Sequence, residues 1–381
     1  MAELRVLQVG KFYPPDEGGM ETHLEGLCRH MRAHADLEVL VASRTRRTVH
    51  EVIAGVPVTR VGTLATIRSA PICPELRWRI RDSQADIVHL HHPNPSAFLS
   101  YLLSGHRGRL IVTYHSDVVQ QRLLNMIYEP IVRAVLQRAD AIIVSSQEYL
   151  DSSPMLGRYA DRCVVIPMAI DPEQFAVADA AAVAAIRQAY GDRVILTVGR
   201  LVYYKGMEFL MRAMPDIRAH ALVVGQGPMR DALELEARAL GVAGRVTFLG
   251  HVPDTAPYYH AADVFVLPSH LRSEAFGIVQ LEAMASGIPV VNTRIPSGVP
   301  GVSVDGLTGL TVAPGDPGAL ADAVNALLDQ PARARALGEA GRRRVGERYT
   351  LEGMTERTLA LYTRVLAGTG SRSRRRGRGR A

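Results

Sequence analysis

Cysteine is scarce in this chain of 381 residues: Cys28, Cys73 and Cys163 stand far apart, are odd in number and form no Cys-x-x-Cys. A disulfide framework and a thiolate metal cluster are thereby excluded, and a reduced, cytosolic setting is expected. No apolar run reaches the eighteen or so residues that a membrane span needs. The opening "MAELRVLQVG" passes straight into a strand pattern without the succession of regions that marks a signal peptide. Lysine is rarer still: of 44 cationic side chains only Lys11 and Lys205 are lysine. Where arginine is otherwise used throughout, a lysine marks a place that calls for a compact ammonium rather than a planar fork. Both lie in glycine-containing loops after strands.

The formal charge of +6 is equally uneven. The stretch "SRSRRRGRGRA" after Gly370 carries six arginines and no acid, which leaves the body near neutrality. Such a run reads first as a solvated, disordered tail and second as an anchor for anionic lipid headgroups. The body lacks interleaved basic and aromatic residues, so no nucleic-acid partner is expected.

What is present is an alternation of strands and helices, repeated in two halves. "LRVLQVG", "LEVLVAS", "PVTRVG", "DIVHL", "LIVTYH", "AIIVSS" and "CVVIP" read as strands of the first half. An alanine-rich passage around 172–192 interrupts the pattern, which restarts with "VILTVG", "HALVVG", "RVTFLG", "VFVLPS" and "IPVVNT". Alternation of this kind predicts parallel, doubly wound sheets with right-handed crossovers, in an α/β chain too long for one core. The expected organisation is a first domain over 1–172, a second over 173–348, a helix over 349–368 that crosses back to the first, and the tail 369–381. Ligands of such sheets sit beyond the carboxyl ends of the strands, where every motif below falls.

"VGRLVYYKG" puts Arg200 and Lys205 five residues apart, just before a helix. Two cations beside a helix N-terminus suit a diphosphate; they also occur as ordinary surface charges. "SEAFGIVQLEAMASG" puts Glu274 and Glu282 eight residues apart, with a helix expected from about Gly277. The amides of Phe276, Gly277 and Ile278 would then be free to donate, and each carboxylate could accept from two hydroxyls of one ring. Glu274 alternatively serves as a helix-end charge, and Glu282 as a buried, paired acid. "VGQGPMRD" offers Gly225 and Gly227 but carries Arg230 where a dinucleotide fingerprint needs its third glycine.

Together these motifs resemble the retaining nucleotide-sugar glycosyltransferases of the GT-B fold, family 4, over the whole chain apart from the tail. Glu274 and Glu282 match that family's Glu-x7-Glu motif, and Arg200 and Lys205 its diphosphate pair. Gly18 and Gly19 in "PPDEGGMETHL" match its N-terminal glycine loop, and His115 in "VTYHSD" its first-domain histidine. The resemblance implies two Rossmann-like domains facing each other across a cleft. It implies that Glu282 holds the ribose, that Arg200 and Lys205 hold the diphosphate, and that Glu274 with the Phe276–Gly277 amides holds the transferred sugar. Gly18 and Gly19 would approach the phosphates, and His115 the sugar. The donor would be a nucleotide sugar such as GDP-mannose, and the acceptor a glycan or lipid-linked sugar of bacterial surface polysaccharide. Peripheral contact with the inner membrane face is compatible with that role. No Asp-x-Asp occurs in the chain, so Lys205 and Arg200 are expected to do the work of a metal, and no cofactor is expected. One loop departs from the family pattern. "TRIPSGVPGVSVDGLTG" has Ser297 and Gly298 in place of a glycine pair, and no glutamate follows.

Competing readings are narrower. An epimerase of similar architecture and a non-catalytic nucleotide-sugar sensor would keep the same donor pocket. A pyridoxal-phosphate enzyme needs a spare lysine that the chain does not supply, and the incomplete glycine fingerprint disfavours a dehydrogenase. His89, His91 and His92 in "DIVHLHHPNP" invite a zinc assignment, but without further ligands in view His89 and His91 are expected to line a crevice from one strand face. Trp78 within "ELRWRIRD" is expected to be buried under a solvated helix, with a membrane-facing helix as the alternative.

Overall fold

A computed structural model describes residues 4–16, 18–67, 70–117 and 122–368. The Arg-rich stretch 369–381 lies outside the described residues. The chain divides into two compact units: residues 1–168 with 351 onward, and residues 169–350.

The first unit is built on an eight-stranded sheet. Its strands are β1 (Arg5–Val9), β2 (Asp36–Ala42), β3 (Val49–Ile53), β4 (Val56–Val61), β7 (Ile87–His92), β8 (Arg109–Tyr114), β9 (Ala141–Val144) and β10 (Cys163–Val165). A small antiparallel hairpin, β5 (Ala65–Ile67) and β6 (Ala70–Ile72), stands outside it. The order is β10-β9-β8-β7-β1-β2-β4-β3, parallel except for the edge strand β3. β7 is buried at every position, as a strand covered on both faces must be. The strand order reverses between β1 and β7; the glycine loop follows β1, while His89, His91 and His92 lie within β7 and His115 follows β8.

The second unit holds six parallel strands: β11 (Val194–Val198), β12 (His220–Val224), β13 (Val246–Gly250), β14 (Val264–Val266), β15 (Val290–Thr293) and β16 (Gly309–Val312). Their order, β13-β12-β11-β14-β15-β16, is the dinucleotide-fold order, with its switch point between β11 and β14. Arg200 and Lys205 follow β11, and Glu274 follows β14, so both flank that switch point. The core beneath is aliphatic and methionine-rich, with Ile195, Leu201, Met207, Met211, Val264 and Leu320 all buried.

Helix α1 (Gly19–Met31) follows β1 in the first unit, and helix α3 (Leu351–Ala367) is its last described element. α3 buries Leu351, Met354, Thr358, Leu361 and Tyr362, a three-and-four spacing that makes one apolar stripe. That stripe packs on α1, where Gly26 has no side chain to obstruct Leu351: a Cβ there would come within 2.7 Å of the leucine's Cδ2. The unit boundary falls at Met168 rather than at 172, because Ile170 pairs with Thr350 and the helices Glu173–Ala176 and Ala180–Tyr190 pack with the second unit. The returning segment begins at Leu351 rather than 349. No helix of the described residues is long and apolar enough to cross a membrane.

Trp78 is 44% exposed, not buried. The guanidinium groups of Arg77 and Arg81 lie over its ring, 4.4 and 4.6 Å from the centroid. These two cation–ring contacts supply what burial would otherwise provide.

Candidate functional site

In the second unit, β11 ends at Val198 and the chain turns through Gly199, Arg200 and a short 3-10 turn, Tyr203–Lys205. Gly206 follows with φ 66°, and a Cβ there would lie 2.1 Å from the Pro268 carbonyl oxygen. The turn can therefore press against the loop after β14 only with glycine at this place. Gly199 plays a related part, since its Cα underlies the Lys205 side chain at 3.3 Å from a notional Cβ. The result is a buried lysine whose Nζ stands 2.5 Å from Glu274 Oε2. Ser269 Oγ donates to the same carboxylate oxygen at 3.3 Å. Arg200 is exposed at the mouth of the turn.

Burial works against the Lys205 ammonium, but the negative charge of Glu274 and the neighbouring Tyr204 and Glu282 prevail, and its pKa lies above the ordinary lysine value. The site thus keeps a permanent cation with three N–H donors, of which Glu274 occupies one. Glu282 stands on helix α2 (Val279–Ala285). Part of its side chain reaches the surface, but its carboxyl group is desolvated, which pushes its pKa up to about 7 against the opposing pull of Tyr259 and Lys205. Tyr259, fully buried, donates to Glu282 Oε2 at 2.7 Å. Glu282 is accordingly a carboxyl group short of hydrogen-bond donors, which a vicinal diol would supply.

Helix α2 begins at Val279, two residues after Gly277, and spans seven residues. Gly277 has φ 72° and so breaks the helical path; a helix this short supplies little dipole. What remains is backbone: among the described residues, the amides of Phe276, Gly277 and Ile278 donate to no group. The segment is held from beneath. Gln280, fully buried, donates to the carbonyls of Phe276 and Val299 and accepts from Asn292 Nδ2 at 2.8 Å. The departing loop is tied to the same place, the Gly298 amide donating to the Ala275 carbonyl at 2.8 Å, beside Glu274. Gly225 and Gly227 serve backbone packing: Cβ atoms there would lie 2.0 and 2.3 Å from the carbonyl oxygens of Gly199 and Leu201.

In the first unit, Gly18 and Gly19 lie in the turn into α1, Gly18 accepting from the Thr22 amide at 2.9 Å. His115 follows β8 and is buried, its Nε2 standing 3.1 Å from His91 Nδ1. His89 and His91 share one face of β7, as the period of two requires, and their rings stack at 4.6 Å. They do not line a crevice, however: both are buried in a polar chain inside the unit. Tyr362 of α3 meets His89 Nδ1 at 2.6 Å and accepts from Gln8 Nε2 at 3.0 Å. Gln8 Oε1 in turn meets His91 Nε2 at 3.0 Å. His92 points to the other face and stacks on Tyr114 at 4.2 Å. Burial holds His89 near 3 and His92 near 4, and His91 and His115 well below the ordinary histidine range. Lys11, in the loop after β1, lies with its ammonium 5.6 Å from the Phe12 ring.

Two participants escape sequence reading. Tyr259 carries no signal beyond an aromatic pair in "PYYHA". His23, on α1 four residues after Gly19, sits edge-on to His115 at 4.9 Å, and only its position after the glycine pair could have drawn notice.

Comparison with known proteins identifies the family and the fold. The model of glycosyltransferase family 4 matches residues 17–174, and that of glycosyl transferases group 1 matches residues 192–330. O-antigen chain mannosyltransferase C of Escherichia coli is 34% identical over 371 residues, covering 95% of this chain and 99% of that protein. The GDP-mannose-dependent alpha-(1-6)-phosphatidylinositol monomannoside mannosyltransferase of Mycolicibacterium smegmatis is 32% identical, covering 88% of this chain and 92% of its own. Among solved structures, sucrose-phosphate synthase from Thermosynechococcus elongatus superposes with a TM-score of 0.78 over 96% of this chain and 100% of that chain, at 24% identity, which speaks to the GT-B fold. With Arg200 and Lys205 after β11, Glu274 after β14 and the glycine loop after β1, the chain belongs to the group 1 glycosyltransferases of family 4.

Proposed function

We propose that this glycosyltransferase moves a mannosyl group from GDP-mannose to a glycan or lipid-linked acceptor of a surface polysaccharide, with retention of the anomeric configuration and without a metal. The observation that carries the reading is the buried Lys205–Glu274 pair beside the desolvated carboxyl group of Glu282, at the switch point of a parallel sheet. The mannosyl donor is supported by the names of the relatives above, one of which depends on GDP-mannose and both of which transfer mannose.

Each group has a physical task in this reading. Cleaving the sugar–phosphate bond leaves negative charge on the nucleoside diphosphate and oxocarbenium character on the sugar. Lys205, already cationic and already desolvated, turns its two remaining N–H donors to that diphosphate without further reorganisation. Arg200 adds a planar fork from the exposed side. Glu282 accepts from the ribose hydroxyls, and Glu274, while paired with Lys205, offers its second oxygen to hydroxyls of the transferred sugar. The Phe276–Ile278 amides add neutral donors. Gly18, Gly19 and His115 belong to the same reading, as contacts of the phosphates and the sugar. The acceptor oxygen attacks the anomeric carbon from the face that the phosphate leaves, and the departing phosphate takes its proton. Trp78 between Arg77 and Arg81, with exposed Leu99 and Leu103 on the adjoining helix Pro95–Ser104, offers a surface for the cytoplasmic membrane face on which a lipid-linked acceptor would reside.

The test is a thermal-shift panel with GDP, UDP, ADP and TDP, each in EDTA and in Mg²⁺, followed by transfer from the matching sugar nucleotide. A ligand at a hundred times its dissociation constant adds about 2.7 kcal/mol of stability. Strong stabilisation by GDP in EDTA is expected. Stabilisation that requires Mg²⁺ would refute the metal-free pocket, and selection of another nucleotide would refute the donor.

A further inference from the structure

We propose that His23, His91 and His115 form a binding site for a borderline transition-metal dication, Zn²⁺ foremost, and that an ion bound there removes His115 from contact with the sugar. The second half rests on the transfer reading above; the first does not.

Each histidine offers one ring nitrogen such that the three atoms lie within 4.8 Å of one another. In a tetrahedral site with Zn–N bonds of about 2.0–2.1 Å, two ligand nitrogens stand roughly 3.3 Å apart. His91 Nδ1 and His115 Nε2 already stand 3.1 Å apart. Only the His23 ring has to close in, and it has nothing to break in doing so. Among the described residues both of its nitrogens are buried without a hydrogen-bond partner, a costly state that metal ligation would relieve at one of them. Its ring already stands edge-on to both partners, with centroids 4.9 Å from His115 and 5.8 Å from His91.

The groups behind the ligands fit as well. Gln8 donates through Nε2 to the Tyr362 hydroxyl, which leaves Oε1 as the acceptor facing His91 Nε2. His91 therefore carries its proton on Nε2 and presents the lone pair of Nδ1 to His115. A ligating histidine whose other nitrogen donates to an oxygen acceptor is the usual support of a metal site. Without metal, His115 donates through Nε2 to that lone pair; with metal it ligates through Nε2 and carries its proton on Nδ1. His89 is not a fourth ligand, because its nitrogens are engaged by Tyr362 and Thr113. Three neutral imidazoles leave an open position and favour Zn²⁺, Ni²⁺ or Cu²⁺ over Mg²⁺ and Ca²⁺.

The experiment uses the full, tag-free chain in equilibrium dialysis against Zn²⁺, with Co²⁺ as the visible probe and Mg²⁺ as the control. One equivalent of Zn²⁺ or Co²⁺ is expected in the wild type and in the surface control His34→Ala, and none in His23→Ala. His23→Ala removes a ring that makes no hydrogen bond among the described residues, so its fold, checked by circular dichroism, is expected to be retained. Absence of binding in the wild type, or equal binding in His23→Ala, would overturn the site. In the transfer assay, one equivalent of Zn²⁺ is expected to suppress turnover more than tenfold, with recovery in EDTA and no suppression in His23→Ala. Full turnover with the site occupied would overturn the competition while leaving the metal site intact.

Discussion

The carboxyl group of Glu282 should make the protein less stable as the pH rises toward neutrality, and a single amide should abolish the effect. Burial raises its pKa from 4.5 to about 7. Because the folded value lies above the unfolded one, the folded state binds the proton more tightly. Below pH 4.5 the group is protonated in both states and costs nothing. Between pH 4.5 and 7 the unfolded state releases its proton first, and the cost grows; above pH 7 it is complete. At 1.36 kcal/mol per pKa unit, the full cost is on the order of 3 kcal/mol. Glu282→Gln keeps an oxygen to accept from Tyr259 and removes the ionisation. It should therefore match the wild type below pH 4.5 and exceed it by on the order of 3 kcal/mol at pH 8, which for a unit of this size is roughly 6–12 °C in melting temperature. The same substitution should weaken the nucleotide diphosphate more than tenfold, since a neutral amide accepts less strongly from the ribose hydroxyls. Wild-type affinity should fall as pH drops below 7, with uptake of the ligand releasing a proton that calorimetry in two buffers detects. A stability gap that does not vary with pH, or a glutamine variant less stable than the wild type at pH 8, would refute the desolvation argument. Glu282 would then be an ordinary paired carboxylate.

Lys205→Ala removes the partner of a buried carboxylate as well as the proposed phosphate cation. Transfer should be lost, and stability should fall by about 3–5 kcal/mol in urea unfolding, the range for breaking a buried pair; undiminished transfer would remove Lys205 from the site. Arg200→Ala, at an exposed position, should raise KM for the donor while leaving the unfolding midpoint unchanged, and a shifted midpoint would count against a purely binding role. Gly206→Ala, at φ 66° and facing the Pro268 carbonyl, should displace the Lys205 turn and reduce donor affinity more than tenfold, measured by nucleotide-induced thermal shift. Tyr259→Phe deletes the hydrogen bond that lowers the Glu282 pKa, so the pH below which the nucleotide loses affinity should move upward.

Strand positions were readable because a strand covered on both faces is a near-continuous apolar run, and "VILTVG" and "DIVHL" have few other ways to fold. From the strands came the places where loops leave the sheet, and from the loops the residues worth naming. What the linear text conceals is which of those residues meet. Glu274 and Glu282 share one motif, which invites equal treatment as sugar-binding acids. In the structure Glu274 is paired with Lys205, which is 69 positions earlier, whereas Glu282 hangs on a buried tyrosine and is left half-satisfied. The two carboxylates differ in surroundings because of neighbours that no local pattern reveals. The helix expected from Gly277 starts two residues later for a local reason that was visible: glycine there takes a positive φ, which interrupts a helix rather than opening one.

The histidines show the complementary failure. Period two correctly put His89 and His91 on one face of β7, but it could not say whether that face looks into a crevice or into the protein. The answer depends on α3, which joins the first unit from the far end of the sequence and brings Tyr362 against His89 and Gln8. A hydroxyl, an amide and three imidazoles then form one buried chain that ends at His115. Each member has limited freedom, because the donor of one bond dictates the acceptor of the next. The orientation of the one histidine that family pattern singles out is thus set by a residue 247 positions away. Tyr362→Phe should leave the α3 packing intact yet unseat the Gln8 amide. The measurable consequence is a change of tautomer at His91 and His115, seen in their ring ¹⁵N shifts; unchanged shifts would mean that the strands alone orient His115.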